Sequence, residues 1–225
     1  AMAKQAERNK VFREGWHGAL RYMALDGWEP ISSFNRHCGE CLVRHVRKET
    51  RKGEVVEMEQ YYHRYAVAMM LDPRFDLALD FEPLLPSDLR PVVRKGGKII
   101  RPAEDEGELT AAIRVLKRTK QTFNWLDVVV SDALYANGVF LTAVRDIGMG
   151  AVIVAKDENH EPLKEALALW ADQPASQVLE NEDAKERIEL WDGPETETLG
   201  SYKGKIRVVR GRVTDLRSPT RTTRT

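Results

Sequence analysis

The stretch LDVVVSDALYANGVFLTAVRDIGMGAVIVAK, residues 126–156, decides the fold of this chain. Its run of valines predicts a buried strand, its middle predicts a short helix closed by Gly148, and residues 150–156 predict a second buried strand. Residues 104–123 predict a preceding helix, because acids cluster at the start of this segment and bases at its end, as the helix dipole favours. Helix, strand, helix and strand in succession are the pattern of a parallel α/β sheet.

The N-terminal part of the chain predicts antiparallel pairing. Apolar or alternating runs at 19–27, 41–48 and 55–71 predict three consecutive strands, which are typical of a meander. The segments between these strands and around them predict a helix over 3–15, a loop over 28–40 and irregular chain over 76–103. We therefore expect an α/β protein with a mixed sheet, in which three antiparallel strands are followed by parallel strands and their helices.

The C-terminal third is acidic at first and basic at its end. Residues 157–199 carry thirteen Asp and Glu against three Lys and Arg, whereas residues 201–225 carry eight Lys and Arg against one Asp. This region predicts a helix over 161–172 and strands over 186–193 and 205–213, followed by a polar tail without order over 214–225.

Length and composition exclude several classes of protein. The chain has 225 residues, 31% of them charged, and a formal net charge of zero, which predicts a soluble globular protein. Two cysteines are too few for a disulfide-rich secreted scaffold, and no apolar run is long enough for a membrane span. The N-terminal residues lack the apolar stretch of a signal peptide, so we expect a cytoplasmic protein. Zero net charge does not exclude a nucleic acid partner, because binding follows the local charge of a surface.

Two aspartates occupy positions where chemistry is common. Asp26 closes the first predicted strand, and Asp132 follows the valine strand directly. Ligand sites in open α/β sheets gather at strand ends, and two carboxylates from adjacent strands could share Mg²⁺ or Mn²⁺. The alternative is that each aspartate only begins a turn, as Asp-Gly pairs commonly do.

The cysteines form a CxxC pair with histidines on both sides. Cys38 and Cys41 are flanked by His37 and His45, so thiolate and imidazole ligands for zinc are available. The spacing differs from that of standard zinc fingers, and buried structural thiols are the alternative. His63 lies in the predicted strand 55–71, where a histidine is more often packed in the sheet than catalytic. The sequence has no P-loop, GxGxxG or GxSxG motif.

Two long segments resemble a known family. RYMALDGWEPISSFNRHCGECLVRHV, residues 21–46, resembles the first catalytic segment of insertion-sequence transposases with an Asp-Asp-Glu active site. In that family a strand ending in Asp-Gly is followed by a CxxC stretch and by a strand containing Tyr-Tyr-His, here residues 61–63. Residues 126–156 resemble the second catalytic segment of these transposases. The resemblance covers roughly residues 5–215, in the same order.

The resemblance implies a fold, an activity and partners. It implies a ribonuclease H-like core over 19–156, after an N-terminal helical segment over 1–18, and a β-rich insertion over 157–213 before the tail 214–225. It implies that Asp26 and Asp132 are catalytic and bind Mg²⁺ or Mn²⁺ in a two-metal site that cleaves and transfers DNA strands. The implied partners are DNA, at the element ends and at the target, and a second copy of the intact protein in a homodimer. The sequence does not identify the residues that contact DNA.

The third carboxylate of this family has no counterpart in the sequence. It is expected in a helix with the pattern Tyr-x2-Arg-x3-Glu-x6-Lys, which is absent from these residues. We therefore expect a transposase core fragment that is inactive or impaired by itself. A metal-dependent nuclease of the same fold would also need a third acidic ligand. The alternative from a different class is a zinc-stabilised DNA-binding or regulatory module without catalysis.

Overall fold

A computed structural model describes residues 2–12, 20–49, 53–91, 93–95, 98–100, 104–155, 160–217 and 222–224. The chain forms two compact units. The first comprises Ala1–Tyr135 and Ala143–Val154, and the second comprises Ala136–Thr142 and Ala155–Thr225. Within the described ranges, no helix combines the length and the apolar character that crossing a bilayer requires.

In the described part of the first unit, a short helix and six successive strands come before a run of alternating helices and strands. Its elements in chain order are α1 (Met2–Arg8), β1 (Tyr22–Ser33), β2 (Leu42–Glu49), β3 (Val55–Asp72), β4 (Phe75–Pro83), β5 (Val93–Lys95), β6 (Lys98–Ile100), α2 (Glu108–Thr122), β7 (Val128–Ser131), a 3-10 turn (Ala133–Tyr135), α3 (Gly138–Asp146), which contributes residues to both units, and β8 (Gly150–Ile153).

The main sheet is mixed, which confirms the predicted class of α/β protein. Its strands follow the order β2-β3-β1-β7-β8, and β4 also pairs with β3. β1 runs antiparallel to β3, while β7 runs parallel to both β1 and β8. β2 and β4 pair with successive halves of the long strand β3, along the edge opposite β1. The antiparallel strands thus come first in the chain and the parallel strands follow α2.

Helix α2 packs on β3, β4 and β1 and closes the core of this unit. The small and branched side chains of α2 recur at helical spacing, so they share one face of the helix, and this face packs against the sheet. The buried apolar residues that the helix and these strands contribute include Ala111, Ala112, Val115 and Leu116 from α2 and Met23, Leu25, Ala66, Ala68 and Met70 from the strands.

Ion pairs fasten the outer side of α2 to β4. Arg114 Nε donates to Glu82 Oε1 at 2.8 Å, and Arg118 Nε donates to Asp80 Oδ2 at 2.6 Å. Arg114 also binds the buried Glu106 just before the helix. The helix is therefore held by apolar packing on one side and by charged hydrogen bonds on the other.

Two predictions about irregular chain are wrong. The expected loop over 28–40 begins only after Ser33, because β3 is long enough to pair with residues 31–33, and a bulge between Trp28 and Ile31 accommodates Pro30 in the strand. The expected irregular segment 76–103 contains β4, β5 and β6. The alternation of apolar and polar residues in β4 favours this strand, and pairing with β3 extends it as far as Pro83.

The predicted helix at the N-terminus is too long. Helix α1 ends at Arg8, and Lys10 adopts a positive φ of 61°, which a continuing helix does not allow. Residues 13–15, the end of the predicted helix, lie outside the described residues. So do the predicted boundaries of the core at 18–19 and 156–157.

The second unit is an antiparallel sheet with one helix packed on it. Its elements are α4 (Glu161–Leu169), β9 (Gln177–Asn181), β10 (Glu186–Leu199), β11 (Tyr202–Asp215) and β12 (Thr222–Arg224). The strands follow the order β12-β11-β10-β9. The strands predicted over 186–193 and 205–213 are confirmed and are longer than expected, so the predicted boundary at 213 lies inside β11. Strand β12 lies in the stretch for which the sequence predicts no order.

This unit has a small core of its own. Ala166 from α4 and Trp170, the residue directly after this helix, pack with Trp191 from β10, and all three are buried. The Trp191 indole Nε1 donates a hydrogen bond to the Gln173 carbonyl at 3.0 Å. The guanidinium groups of Arg210 and Arg212 lie 5.4 and 5.0 Å from the centre of the Trp191 ring. A buried indole whose N–H is paired anchors the helix to the sheet.

Candidate functional site

Asp26 lies within a strand and not at its end. β1 continues to Ser33, so the prediction that Asp26 closes its strand is wrong. The reason is the antiparallel partner: Asp26 pairs with Val67 in β3, and pairing continues beyond it. The side chain of Asp26 is exposed while Leu25 is buried, as the alternation of a strand requires. Its Oδ1 accepts a hydrogen bond from the Gly27 amide at 2.7 Å.

Asp132 follows strand β7 directly, as the sequence predicts. Its Oδ1 accepts the Leu134 amide at 3.0 Å, and its carbonyl accepts the Tyr135 amide at 3.1 Å. Asp132 therefore also begins the 3-10 turn, which is the role that the sequence offers as the alternative to metal binding. The side chain is half-buried.

Both aspartates follow the parallel pairing of β1 with β7, Asp26 inside β1 and Asp132 directly after the end of β7. Ala24 in β1 is the partner of Val130 in β7, and each aspartate comes two residues later in its own strand direction. Both charges also act on one hydroxyl. Burial raises the pKa of Tyr135, the hydrogen bond to Glu108 raises it further, and the charges of Glu108, Asp26 and Asp132 add to the shift. The negative charges of Asp26 and Asp132 thus both contribute to the raised pKa of Tyr135.

Glu108 is a further carboxylate at this place, and the sequence does not single it out. It is the first residue of α2 and is buried. Arg64 Nε donates to its Oε2 at 2.7 Å, and the Tyr135 hydroxyl donates to its Oε1 at 2.8 Å. The only sequence signal is an acidic residue in the first helical turn, which the helix dipole explains without a site.

The carboxylates do not gather as tightly as a preformed three-ligand metal cage. Among the described residues, the group of three or more acidic, His or Cys ligand atoms that all lie within 4.8 Å of one another is Cys38, Cys41 and His63. Both oxygens of Glu108 are already hydrogen-bonded, so this side chain is a structural partner of Arg64 and Tyr135. Asp26 and Asp132 also accept hydrogen bonds, from the backbone amides of Gly27 and Leu134.

The Cys38, Cys41 and His63 group could hold a metal ion. The two Sγ atoms are 3.6 Å apart, and His63 Nε2 lies 3.4 Å from Cys38 Sγ and 3.5 Å from Cys41 Sγ. The Cys38 amide lies 3.2 Å from Cys41 Sγ and donates to it. Burial raises the pKa of the Cys41 thiol, and the neighbouring Cys38 side chain raises it further, against the lowering effect of that amide.

The histidines predicted as zinc ligands are not part of this group. His37 stacks its ring on Tyr61 at 4.7 Å, and His45 is exposed on β2 opposite Glu59. His63 takes their place because β3 pairs with β1, which sets His63 opposite Ile31 just before the loop that carries the cysteines. The sequence signal for His63 was its place in Tyr-Tyr-His on the strand expected to pair nearby.

The cysteine group opens to the surface. Cys38 is exposed, and the depression beside the group has a volume of about 420 Å³. Its lining includes Ser33, Arg36 and Tyr61.

Comparisons with protein-family models, with curated proteins and with solved structures found no match for this chain.

Proposed function

We propose that this chain is the catalytic core of a protein that cleaves and transfers DNA strands with divalent metal ions, as insertion-sequence transposases do. The observation that carries the proposal is the placement of Asp26 and Asp132. Each lies two residues beyond Ala24 and Val130, the last paired residues of the parallel strands, with Asp26 inside β1 and Asp132 directly after β7.

The order of the elements supports the proposal of a ribonuclease H-like core. The antiparallel strands β1 to β4 come first, one more than the resemblance implies, α2 follows, and β7 then pairs in parallel with β1 and β8 with β7. Apart from the additional strand, this is the order that the resemblance implies for such a core. The homodimer of the intact protein is likewise part of the proposal, and it rests on the resemblance alone.

The donor chemistry fits Mg²⁺ or Mn²⁺, which Asp26 and Asp132 would hold through carboxylate oxygens. Such an ion would supply Lewis-acid activation of a water or of a DNA 3′-hydroxyl and would stabilise the leaving oxygen of the phosphoryl transfer. Asp26 is exposed, so its carboxylate is accessible to a DNA backbone. Tyr135 keeps its proton and ties the turn after Asp132 to Glu108.

The experiment measures Mn²⁺ binding and DNA nicking with the same preparations. We expect the purified chain to bind Mn²⁺, detected by electron paramagnetic resonance, and to nick supercoiled plasmid slowly, because no third catalytic carboxylate is identified. Asp26→Asn and Asp132→Asn should each lose both signals. Asp146→Asn is the matched control, since Asp146 is exposed at the end of α3. Wild-type Mn²⁺ binding by Asp26→Asn and Asp132→Asn would show that the proposal is wrong.

The alternative is a DNA-binding or regulatory module without catalysis, which the metal-capable cysteine group favours. Its metal would be zinc, and DNA binding would persist in Asp26→Asn and Asp132→Asn while being lost on substitution of Cys38. The catalytic proposal predicts that the aspartate variants lose Mn²⁺ binding and nicking. The alternative predicts that the aspartate variants keep DNA binding and that a Cys38 variant loses it.

A further inference from the structure

We propose that Cys38 Sγ, Cys41 Sγ and His63 Nε2 bind one zinc ion, with solvent in the fourth position, and that the ion fastens the loop between β1 and β2 to strand β3. This zinc site is separate from the proposed catalytic aspartates, and either proposal can fail without the other.

The distances within the group match those of a tetrahedral zinc site. With Zn–S bonds of about 2.3 Å and Zn–N bonds of about 2.05 Å, two sulfurs are about 3.8 Å apart and sulfur and nitrogen about 3.6 Å apart. The corresponding distances here are 3.6 Å, 3.4 Å and 3.5 Å. Each agrees to within about 0.2 Å with the expected edge of the tetrahedron. A disulfide does not account for the group, because both cysteines are free.

Hydrogen bonds cannot join all three pairs of atoms at once. Closing this triangle with three linear hydrogen bonds requires every member to donate once and accept once. Each thiol can do so, but the Nε2 atom of His63 either carries a proton or accepts one. At least one edge of the triangle is therefore left without a hydrogen bond. A cation at the centre satisfies all three atoms at once, with both thiols losing their protons to solvent.

The donor set selects zinc among the common biological cations. Two thiolates and an imidazole are soft to borderline ligands, whereas Mg²⁺ and Ca²⁺ prefer oxygen. The Cys38 amide, directed at Cys41 Sγ, favours the negative charge that a thiolate ligand carries. Three protein ligands leave one position of the tetrahedron for an exogenous group.

The fourth position faces solvent. Within the described part of the chain, no fourth His, Cys, Asp or Glu joins the group. Cys38 is exposed and the group borders the depression lined by Arg36 and Tyr61. His37 also lines this depression, but its ring is stacked on Tyr61. A water molecule is the ligand that this arrangement accommodates.

The site links parts of the chain that are far apart in sequence. The cysteines follow β1 and precede β2, while His63 lies within β3, which pairs with both strands. A zinc ion there closes the loop over 34–41 against the sheet. Because zinc would bind the folded chain and not the unfolded one, zinc binding stabilises the fold by mass action.

The test uses the full chain, kept reduced, freed of metal by chelation and then exposed to zinc or to Co²⁺ as a spectroscopic probe. We expect about one zinc per chain and, with Co²⁺, the intense visible bands of a tetrahedral thiolate site. Cys38→Ser, Cys41→Ser and His63→Gln should each lose the metal. His45→Gln, His37→Gln and Asp26→Asn should keep it.

Three results would overturn the proposal: no zinc in the reduced wild type, wild-type zinc content in His63→Gln, or loss of zinc in His45→Gln. Loss of the cobalt bands in His37→Gln would show that His37, and not water, is the fourth ligand.

A second measurement on the wild-type chain does not depend on whether the variants fold. Zinc should slow the alkylation of Cys38 and Cys41 by iodoacetamide about tenfold or more, because the reactive thiolate is coordinated. Equal alkylation rates with and without zinc would show that Cys38 and Cys41 do not bind zinc.

Discussion

The carboxylate of Glu108 fills the space beside Gly27 that any other side chain would need. A Cβ atom at position 27 would lie 2.6 Å from Glu108 Cδ and 2.8 Å from Oε1, well inside the normal contact distance. Glu108 cannot move away freely, because Arg64 and Tyr135 hold both of its oxygens. The residue after Asp26 is therefore a glycine because the start of α2 packs directly against β1.

Replacing Gly27 with alanine should destabilise the protein. The added methyl group displaces the Glu108 carboxylate from Arg64 and Tyr135, and overpacking of this kind costs about 1–3 kcal/mol. The free energy of unfolding in urea measures this loss. The control is Gly39→Ala, because a Cβ at Gly39 meets no atom within 4 Å. Equal stability of the two variants would contradict the close approach of Glu108 to β1.

Replacing Tyr135 with phenylalanine should remove one of the two partners of Glu108. The Tyr135 hydroxyl is buried and donates to Glu108 Oε1 at 2.8 Å, so its loss leaves a buried carboxylate oxygen unpaired. We expect a loss of about 1–2 kcal/mol in unfolding free energy. Tyr65→Phe is the matched control, because the Tyr65 hydroxyl makes no hydrogen bond among the described residues. A neutral Tyr135→Phe variant would argue against this hydrogen bond.

The ion pairs between α2 and β4 should make stability depend on pH. Burial by itself would raise the pKa of Glu82, but the hydrogen bonds from Arg118 and Arg114 outweigh it and lower that pKa. The folded-state pKa thus lies below the unfolded value of about 4.3. The stabilisation is present in full above the unfolded value and is lost as the pH falls through the folded value.

Glu82→Gln tests this dependence. We expect it to lower the unfolding free energy by about 1 kcal/mol at neutral pH, since the pairs are partly exposed, and the difference from wild type should shrink below about pH 4. Thermal unfolding across this range of pH provides the measurement. Glu57→Gln, at an exposed position of β3, should show no such trend. A difference that stays constant down to low pH would contradict the lowered pKa of Glu82.

Replacing Trp191 with phenylalanine should weaken the second unit. The change removes the hydrogen bond from the indole to the Gln173 carbonyl and reduces the interaction of the ring with Arg210 and Arg212. We expect a loss of about 1–2 kcal/mol, measured by urea unfolding. Val209→Ala is the control on the neighbouring strand, because Val209 is 60% exposed. Unchanged stability in Trp191→Phe would mean that the indole N–H does not anchor α4 to the sheet.

Local sequence patterns were sufficient to predict the parallel strands and the helices that connect them. The valines of β7, the helix before them and the helix closed by Gly148 follow from apolar periodicity, charge placement and a glycine with φ of 71°. The position of Asp132 directly after its strand was predictable for the same reason. These features depend on interactions within a few residues, which the sequence displays directly.

The ends of the antiparallel strands were not predictable in this way. β1 continues past Gly27 and Pro30, both of which indicate a turn by themselves, because the long partner β3 supplies hydrogen bonds to the strand on either side of the bulge. β4 likewise pairs along β3 through a stretch that ends in proline.

The sequence by itself determined the α/β class and the run of helix, strand, helix and strand from α2 to β8, and it singled out Asp26, Asp132 and the cysteine pair. Only the tertiary structure decided that Glu108 lies against Gly27 and that His63, and neither His37 nor His45, joins the cysteines. The physical reason is register. Which residues face each other across strands and helices depends on pairing and packing between segments tens of residues apart, and no local period encodes that choice.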